Sequence, residues 1–443
     1  MRFIHRTFLF LLPVILILAA LPINALQETF GSELPGRIAY VGDDFNIHVF
    51  DVGTESTFSL TEDGGPNVRY QWPTWSNDGR LAYFCCDLQF ATSSVTSAYI
   101  SPDGILPGRL VFGGIGESII YAYWAPAPCD GANCRELAML VNNIQSGSLS
   151  LLMVRDTVDD YDNYVAAMGS PFYYSWSPDA TQMAFHRNNR LLSIYSGAAG
   201  DIDVSLNQPT SGAFQAPAWS PIDDRILLGV VGVHPRFTNL VTVQNGEITT
   251  LVEDLEGGVS FAWSPDGQYI AYRLLDGNGY GSLIVINAMT GVPVSETEIN
   301  AVVAFFWSPD SSKIAFVTPP ISGQDSAQRG PAAPQTVQYS PDGFQPVQQG
   351  IELSWNVLDV QSGVTTSFGS FLPTPGDVYM ILYFDQFAQS HSIWSPDSKY
   401  IVYSELMLED NTTSLVQIRD VLDVTASPVT IGQGGFAVWS YDE

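Results

Sequence analysis

The chain has 443 residues, 46 acidic against 17 basic, for a formal charge of −29 at neutral pH. A surface this acidic repels phosphate backbones, which disfavours a nucleic-acid partner. The same charge favours solubility outside the cell.

Residues 1–25 read as a secretory signal peptide: a basic start at Arg2 and Arg6, an apolar run from Phe8 to Leu21, and a small residue, Ala25, at the cut. The alternative is an uncleaved anchor, for which the run is short against the roughly 20 residues of a membrane span. No cysteine near the cut offers a lipid site, and no later segment is apolar enough to cross a membrane. The mature protein, residues 26–443, is expected to be secreted, periplasmic or at the cell surface, as one domain.

The mature chain opens with Arg37-Ile-Ala-Tyr-Val41, and strands are expected through Phe58-Ser-Leu-Thr61. From there a unit recurs about every 44 residues, marked by Trp75, Trp124, Trp176, Trp219, Trp263, Trp307, Trp394 and Trp439. Four copies read Trp-Ser-Pro-Asp, beginning at Trp176, Trp263, Trp307 and Trp394. Short apolar strands follow the motif, as in Tyr269-Ile-Ala-Tyr272 and Lys313-Ile-Ala-Phe316. Alternation split by Gly, Asp and Pro turns is the all-β signature. A period near 40–45 with a Trp marker points to the four-stranded blades of a propeller. The motif itself reads as structural. Pro fixes φ, Asp bonds nearby amides, Gly after it accepts positive φ, and Trp packs sheets face to face.

Cys129 and Cys134 flank a turn-like stretch and are the expected disulfide. Cys85 and Cys86 are adjacent, expected as buried thiols, with a vicinal bridge as the alternative.

The interval from Trp307 to Trp394 is double, and counts as one blade with insertions at 318–350 and 371–389. Tyr339-Ser-Pro-Asp-Gly343 leaves a ninth blade open. The C-terminal Trp439-Ser-Tyr-Asp442 is what should precede Arg37-Ile-Ala-Tyr, so one blade is expected to be shared between the termini. The architecture expected is an all-β propeller of eight four-stranded antiparallel blades, with seven or nine as alternatives.

These units resemble the TolB-type, WD-repeat-like propeller repeats of bacterial exported proteins. They are also similar to the propeller domain of the prolyl oligopeptidase family. The resemblance covers nearly all of the mature chain. It implies an interaction platform, or a propeller capping a hydrolase. The chain reaches its eighth Trp motif at its end and contains no Gly-x-Ser-x-Gly elbow, so a hydrolase domain is not expected.

Chemistry is sparse. His48, His186, His234 and His391 fall in different units, which argues against a triad or a metal cage. No metal or cofactor is expected. Asp276-Gly-Asn-Gly-Tyr-Gly281 resembles the start of a calcium loop, but Tyr280 and Asn287 stand where ligands should be, and a hairpin explains it as well. Asp159, Asp160 and Asp162 read as a solvated acidic turn.

The long insertions share one face of the expected propeller, and long loops on a rigid scaffold tend to carry function. That face is the expected binding surface, centred on Tyr379, Tyr383, Phe384 and Phe387 with Asp377 and Asp385. Arg69, Tyr70, Tyr121, Tyr173 and His391 are expected around the channel mouth. The alternative for 371–389 is that it fills the channel or covers a blade. Two functions stay open. One is a non-enzymatic platform for a protein or peptide partner. The other is a propeller that binds a glycan or small molecule, with channel-mouth carboxylates as hydrolytic acid and base.

Overall fold

The computed structural model describes residues 36–87, 95–129, 133–157, 159–170, 172–187, 191–196, 201–203, 216–276, 279–320, 352–407 and 413–441. The expected signal peptide lies outside them, as do residues 321–351 of the first insertion.

The strands form antiparallel sheets of one plan. Six sheets have four strands, and their first strands end at Trp75, Trp124, Trp176, Trp219, Trp263 and Trp307. The other three strands of each sheet follow in chain order. A seventh sheet has six strands, in the order Tyr400–Leu406, Ser414–Asp420, Val429–Trp439, Arg37–Gly42, Ile47–Asp51, Ser56–Ser59.

Val429–Trp439 joins the two ends of the chain. Its first half pairs with Ser414–Asp420, Val429 opposite Ile418 and Gln433 opposite Leu415. Its second half pairs with Arg37–Gly42, Gly434 opposite Gly42 and Trp439 opposite Ile38. The switch occurs at Gly434, with φ 153°, where a Cβ would stand 2.2 Å from the Val41 carbonyl oxygen. Only glycine permits that approach. The Arg37 amide donates to Ser440 Oγ at 2.8 Å, and the Ser440 amide to the Arg37 carbonyl at 2.8 Å.

The repeat motif explains itself in hydrogen bonds. The serine hydroxyl donates to the aspartate two residues on, from Ser177 to Asp179 at 2.7 Å, and from Ser264, Ser308 and Ser395 to Asp266, Asp310 and Asp397 at 2.6 Å each. The same oxygen accepts the amide five residues on, from Gln182, Tyr269, Lys313 and Tyr400. Between Asp and strand, Gly79, Ala180, Gly267, Ser311 and Ser398 all have positive φ. The indole staples one sheet to the next. Trp124, Trp263 and Trp394 each donate from Nε1, at 3.0 Å, to the Thr74, Ala218 and Phe306 carbonyls, each one residue before the preceding sheet's motif Trp.

Burial grades from the axis outward. Second strands are buried on both sides, as in Leu81–Cys85 and Ile314–Thr318, because a neighbouring sheet covers each face. Their sequences therefore run continuously apolar instead of alternating. Outermost strands such as Ser56–Ser59 and Pro293–Glu296 are largely exposed. One interface is ionic. Asp156 accepts from Arg80 Nε at 3.0 Å and Arg109 Nη2 at 2.7 Å, which ties the sheet that begins at Trp75 to the one that begins at Trp124. Cys129 and Cys134 are joined by a disulfide. Cys85 is buried and Cys86 half-buried on the strand Leu81–Asp87.

Candidate functional site

Insertion 371–389 folds as two short helices, α1 (Pro375–Leu382) and α2 (Phe384–Ser390). Thr374 caps α1 and Pro375 opens it, both suited to a helix start. The Thr374 hydroxyl donates to Asp377 Oδ2 at 2.7 Å. Met380, Phe384 and Phe387, spaced four and three apart, are all buried. A binding surface and a filled channel were both expectations for this segment, and its aromatic residues pack as the second.

The pair sits on the axis, among the first strands of several sheets. Tyr121 OH donates to the Gln386 carbonyl at 3.0 Å, and Ser175 Oγ to Gln389 Oε1 at 2.7 Å. Thr74 Oγ1 donates to the Ser390 carbonyl at 3.3 Å, and Tyr379 OH to the Ile120 carbonyl at 3.3 Å. Phe384 packs on Phe305 with ring centroids 4.8 Å apart. Phe387 lies among Tyr121, Trp72 and Phe436 at 5.3, 6.2 and 6.0 Å. These residues come from sheets far apart in sequence, so the helices fill the axis as a plug.

The expected binding residues thus divide. Phe384, Phe387 and Asp377 are buried in the plug; Tyr379 is half-buried and Tyr383 is 43% exposed. Tyr121 and His391 are buried against Phe387. Asp385 Oδ2 accepts the Ala216 amide at 3.4 Å. Tyr173 is buried, and its hydroxyl is pushed up by that burial and by the Asp385 charge. Arg69 and Tyr70 make their contacts elsewhere: Arg69 lies over Phe45 at 4.9 Å, and Tyr70 OH donates to Asp63 at 2.8 Å. The residues that sequence did not suggest are Trp72 and Phe436, both at positive φ, and Arg273. Trp72 and Phe436 meet the plug because irregular strands turn them inward. Arg273 lies between the Tyr280 and Phe384 rings, and burial pulls its guanidinium down to about 10.

Two plug groups carry displaced protonation. Burial pushes the Asp377 carboxyl up to about 7, against the bond from Thr374. Burial pulls the His391 imidazole down to about 3, so it is neutral. Asp276 and Gly279 pair across a hairpin whose residues 277–278 lie outside the described ones. Among the described residues no group of three or more His, Cys, Asp or Glu could hold a metal ion.

Beyond the C-terminal end of α2 the axis opens into a cavity of about 370 Å³. Its walls are the Trp-Ser-Pro turns at Trp176, Trp219, Trp263, Trp307 and Trp394, and its floor includes Ala388, Gln389 and His391. It lies on the face opposite the long insertions.

No family model and no curated protein matches the sequence. Solved structures do resemble the fold. A prolyl endopeptidase structure has a TM-score of 0.50 at 11% identity, over 88% of this chain and 54% of that one, so this chain spans about half its length. TolB from Acinetobacter baumannii gives 0.39 at 13% identity, over 85% and 83% of the two chains. The β-propeller domain of the Trilobed protease from Pyrococcus furiosus gives 0.48 at 10% identity, over 83% and 98%. Four-stranded antiparallel sheets set about a common axis, together with the likeness of fold to the prolyl endopeptidase structure, give the chain a β-propeller fold.

Proposed function

We propose that the protein is an exported, eight-bladed, non-catalytic propeller that binds a protein or peptide partner in the envelope or extracellular space. The six-stranded sheet counts as two blades that share Val429–Trp439, with Trp394 bridged to Ile401 as the first strand of one of them. Export rests on the basic and apolar pattern of residues 1–25.

The observation that carries the reading is the plug. With the axis filled by α1 and α2, Tyr383 stands exposed at the junction of the two helices. Rigid surfaces that present an aromatic anchor suit protein recognition. The hydrolytic reading would rest on Asp377 and Asp385. Asp377 is buried and bonded by Thr374, and Asp385 accepts the Ala216 amide, so each carboxylate is held by its own contact.

A photo-reactive amino acid at position 383 tests this in the producing cell, with position 165 on an exposed outer strand as control. A discrete adduct from 383 and none from 165 is the expected result. No adduct from 383, with export and folding intact, would sink the reading.

A further inference from the structure

The second cavity face has its own chemistry. Among the described residues no Asp, Glu, Lys or Arg lines the cavity, although the chain carries a net charge of −29. Five tryptophans and five prolines of the repeat turns contribute to its wall. The serine hydrogen bonds hold the turns, and the Trp176, Trp263 and Trp394 indoles are stapled to the preceding sheet, whereas the buried Trp219 and Trp307 Nε1 groups have no partner among the described residues. Its volume falls within the range of roughly 300–1,000 Å³ in which small-molecule pockets lie.

Just outside this wall the charge changes. Pro178, Pro265 and Pro309 line the cavity, and the next residue of each turn is an aspartate. Asp179 and Asp266 have no cationic partner among the described residues, whereas Asp310 lies 3.9 Å from Lys313. Partial burial raises the Asp179 carboxyl, but the Ser177 hydroxyl and the Thr181 amide outweigh it, so the group stays ionised. Arg225, stacked over Trp263 at 4.9 Å and paired with Asp223, and Lys313 bring positive charge to the same turns, so the unpaired acidic charge is that of Asp179 and Asp266.

The floor offers one further group. Ser390 Oγ stands 2.7 Å from His391 Nδ1 and has the Gln386 and Phe387 carbonyls as acceptors at 3.4 and 3.5 Å. The hydroxyl that donates to those carbonyls accepts from Nδ1–H. His391 Nε2 is buried and has no partner among the described residues, so the imidazole's hydrogen bond in the floor is the Ser390 contact alone.

We infer that this cavity binds a small aromatic amine, with its ring between the Trp-Ser-Pro turns and its ammonium group at the carboxylate rim. This goes beyond the platform reading, since the cavity is on the opposite face from Tyr383, and either can fail alone.

Three indoles of near-equal shape test it by titration calorimetry at low salt: tryptamine, indole-3-acetamide and indole-3-acetate. Tryptamine should bind tightest and the acetate weakest, with about tenfold or more between them. Ala388→Trp, which fills the floor, should abolish tryptamine binding while the thermal transition persists. Should that variant not fold, Pro309→Arg at the exposed rim gives a second test, and should narrow or reverse the preference for tryptamine over the acetate. Absence of tryptamine binding at millimolar concentration would overturn the inference. So would equal binding of amine and acetate, or a folded Ala388→Trp that binds unchanged.

Discussion

Ala180, Ser311 and Ser398 stand at the turn position that Gly79 and Gly267 occupy elsewhere, and all five have positive φ. The serines have compensation. Ser311 Oγ accepts the Asp266 amide at 3.0 Å and Ser398 Oγ the Asp310 amide at 3.1 Å, each linking one turn to the next. Ala180 has no hydroxyl to contribute and only bears the strain of about 1 kcal/mol or more. Ala180→Gly should therefore stabilise the protein by about 0.5–1 kcal/mol, after the flexibility that Gly adds to the unfolded chain. Ser311→Gly should bring no gain. Urea melts of the two variants decide this.

Asp377 and His391 tilt stability in opposite directions with pH. The folded Asp377 carboxyl titrates near 7 and an unfolded one near 3.8, so its stability contribution is full below about 4 and lost as pH rises through 7. His391 is depressed to about 3 when folded, so its contribution is full above about 6.5 and lost as pH falls. Relative to wild type, Asp377→Asn should gain little at pH 4 and on the order of 4 kcal/mol at pH 8. A difference that stays constant across urea melts at pH 4, 6 and 8 would show that Asp377 does not titrate in this way.

At the scale of elements, the legible and the hidden separate by physical cause. The turns were readable because Ser, Pro and Asp act on their own backbone within five residues. The staple role of the indole was not, since its acceptor lies about 45 residues away in a neighbouring sheet. The segment of α1 and α2 left a binding face and a filled channel both open, because its aromatic residues look the same whether turned to solvent or to the axis. Arg80, Arg109 and Asp156 lie apart in sequence and meet only when their sheets pack. Asp156→Ala would leave Arg109 without its carboxylate and the buried Arg80 with Asp78 alone. It should cost about 1.5–3 kcal/mol, read as a lowered urea midpoint. A loss below 1 kcal/mol would mean that the seam is solvated.

For the whole molecule, closure depends on a short stretch of backbone. Residues 434–439 supply the strand beside Arg37–Gly42, and without them that strand becomes an open, largely buried edge. A chain stopped after Gln433 should lose cooperative unfolding, or fold only with aggregation, whereas one stopped after Tyr441 should match the full chain in thermal melts. The meeting of the two ends was legible, because Trp439-Ser-Tyr-Asp442 and Arg37-Ile-Ala-Tyr40 are two halves of one repeat. The state of the axis was not, because its lining comes from every sheet at once and is filled by an insertion outside the repeat. The cavity, its rim carboxylates and the exposed Tyr383 all depend on that filling. Hydrogen–deuterium exchange at the amides of residues 378–391 tests it most directly. A plug packed among the first strands should hold these amides against exchange as firmly as Ile314–Thr318. Exchange within seconds, as in a surface loop, would mean that the axis is open and that both proposed binding sites are misplaced.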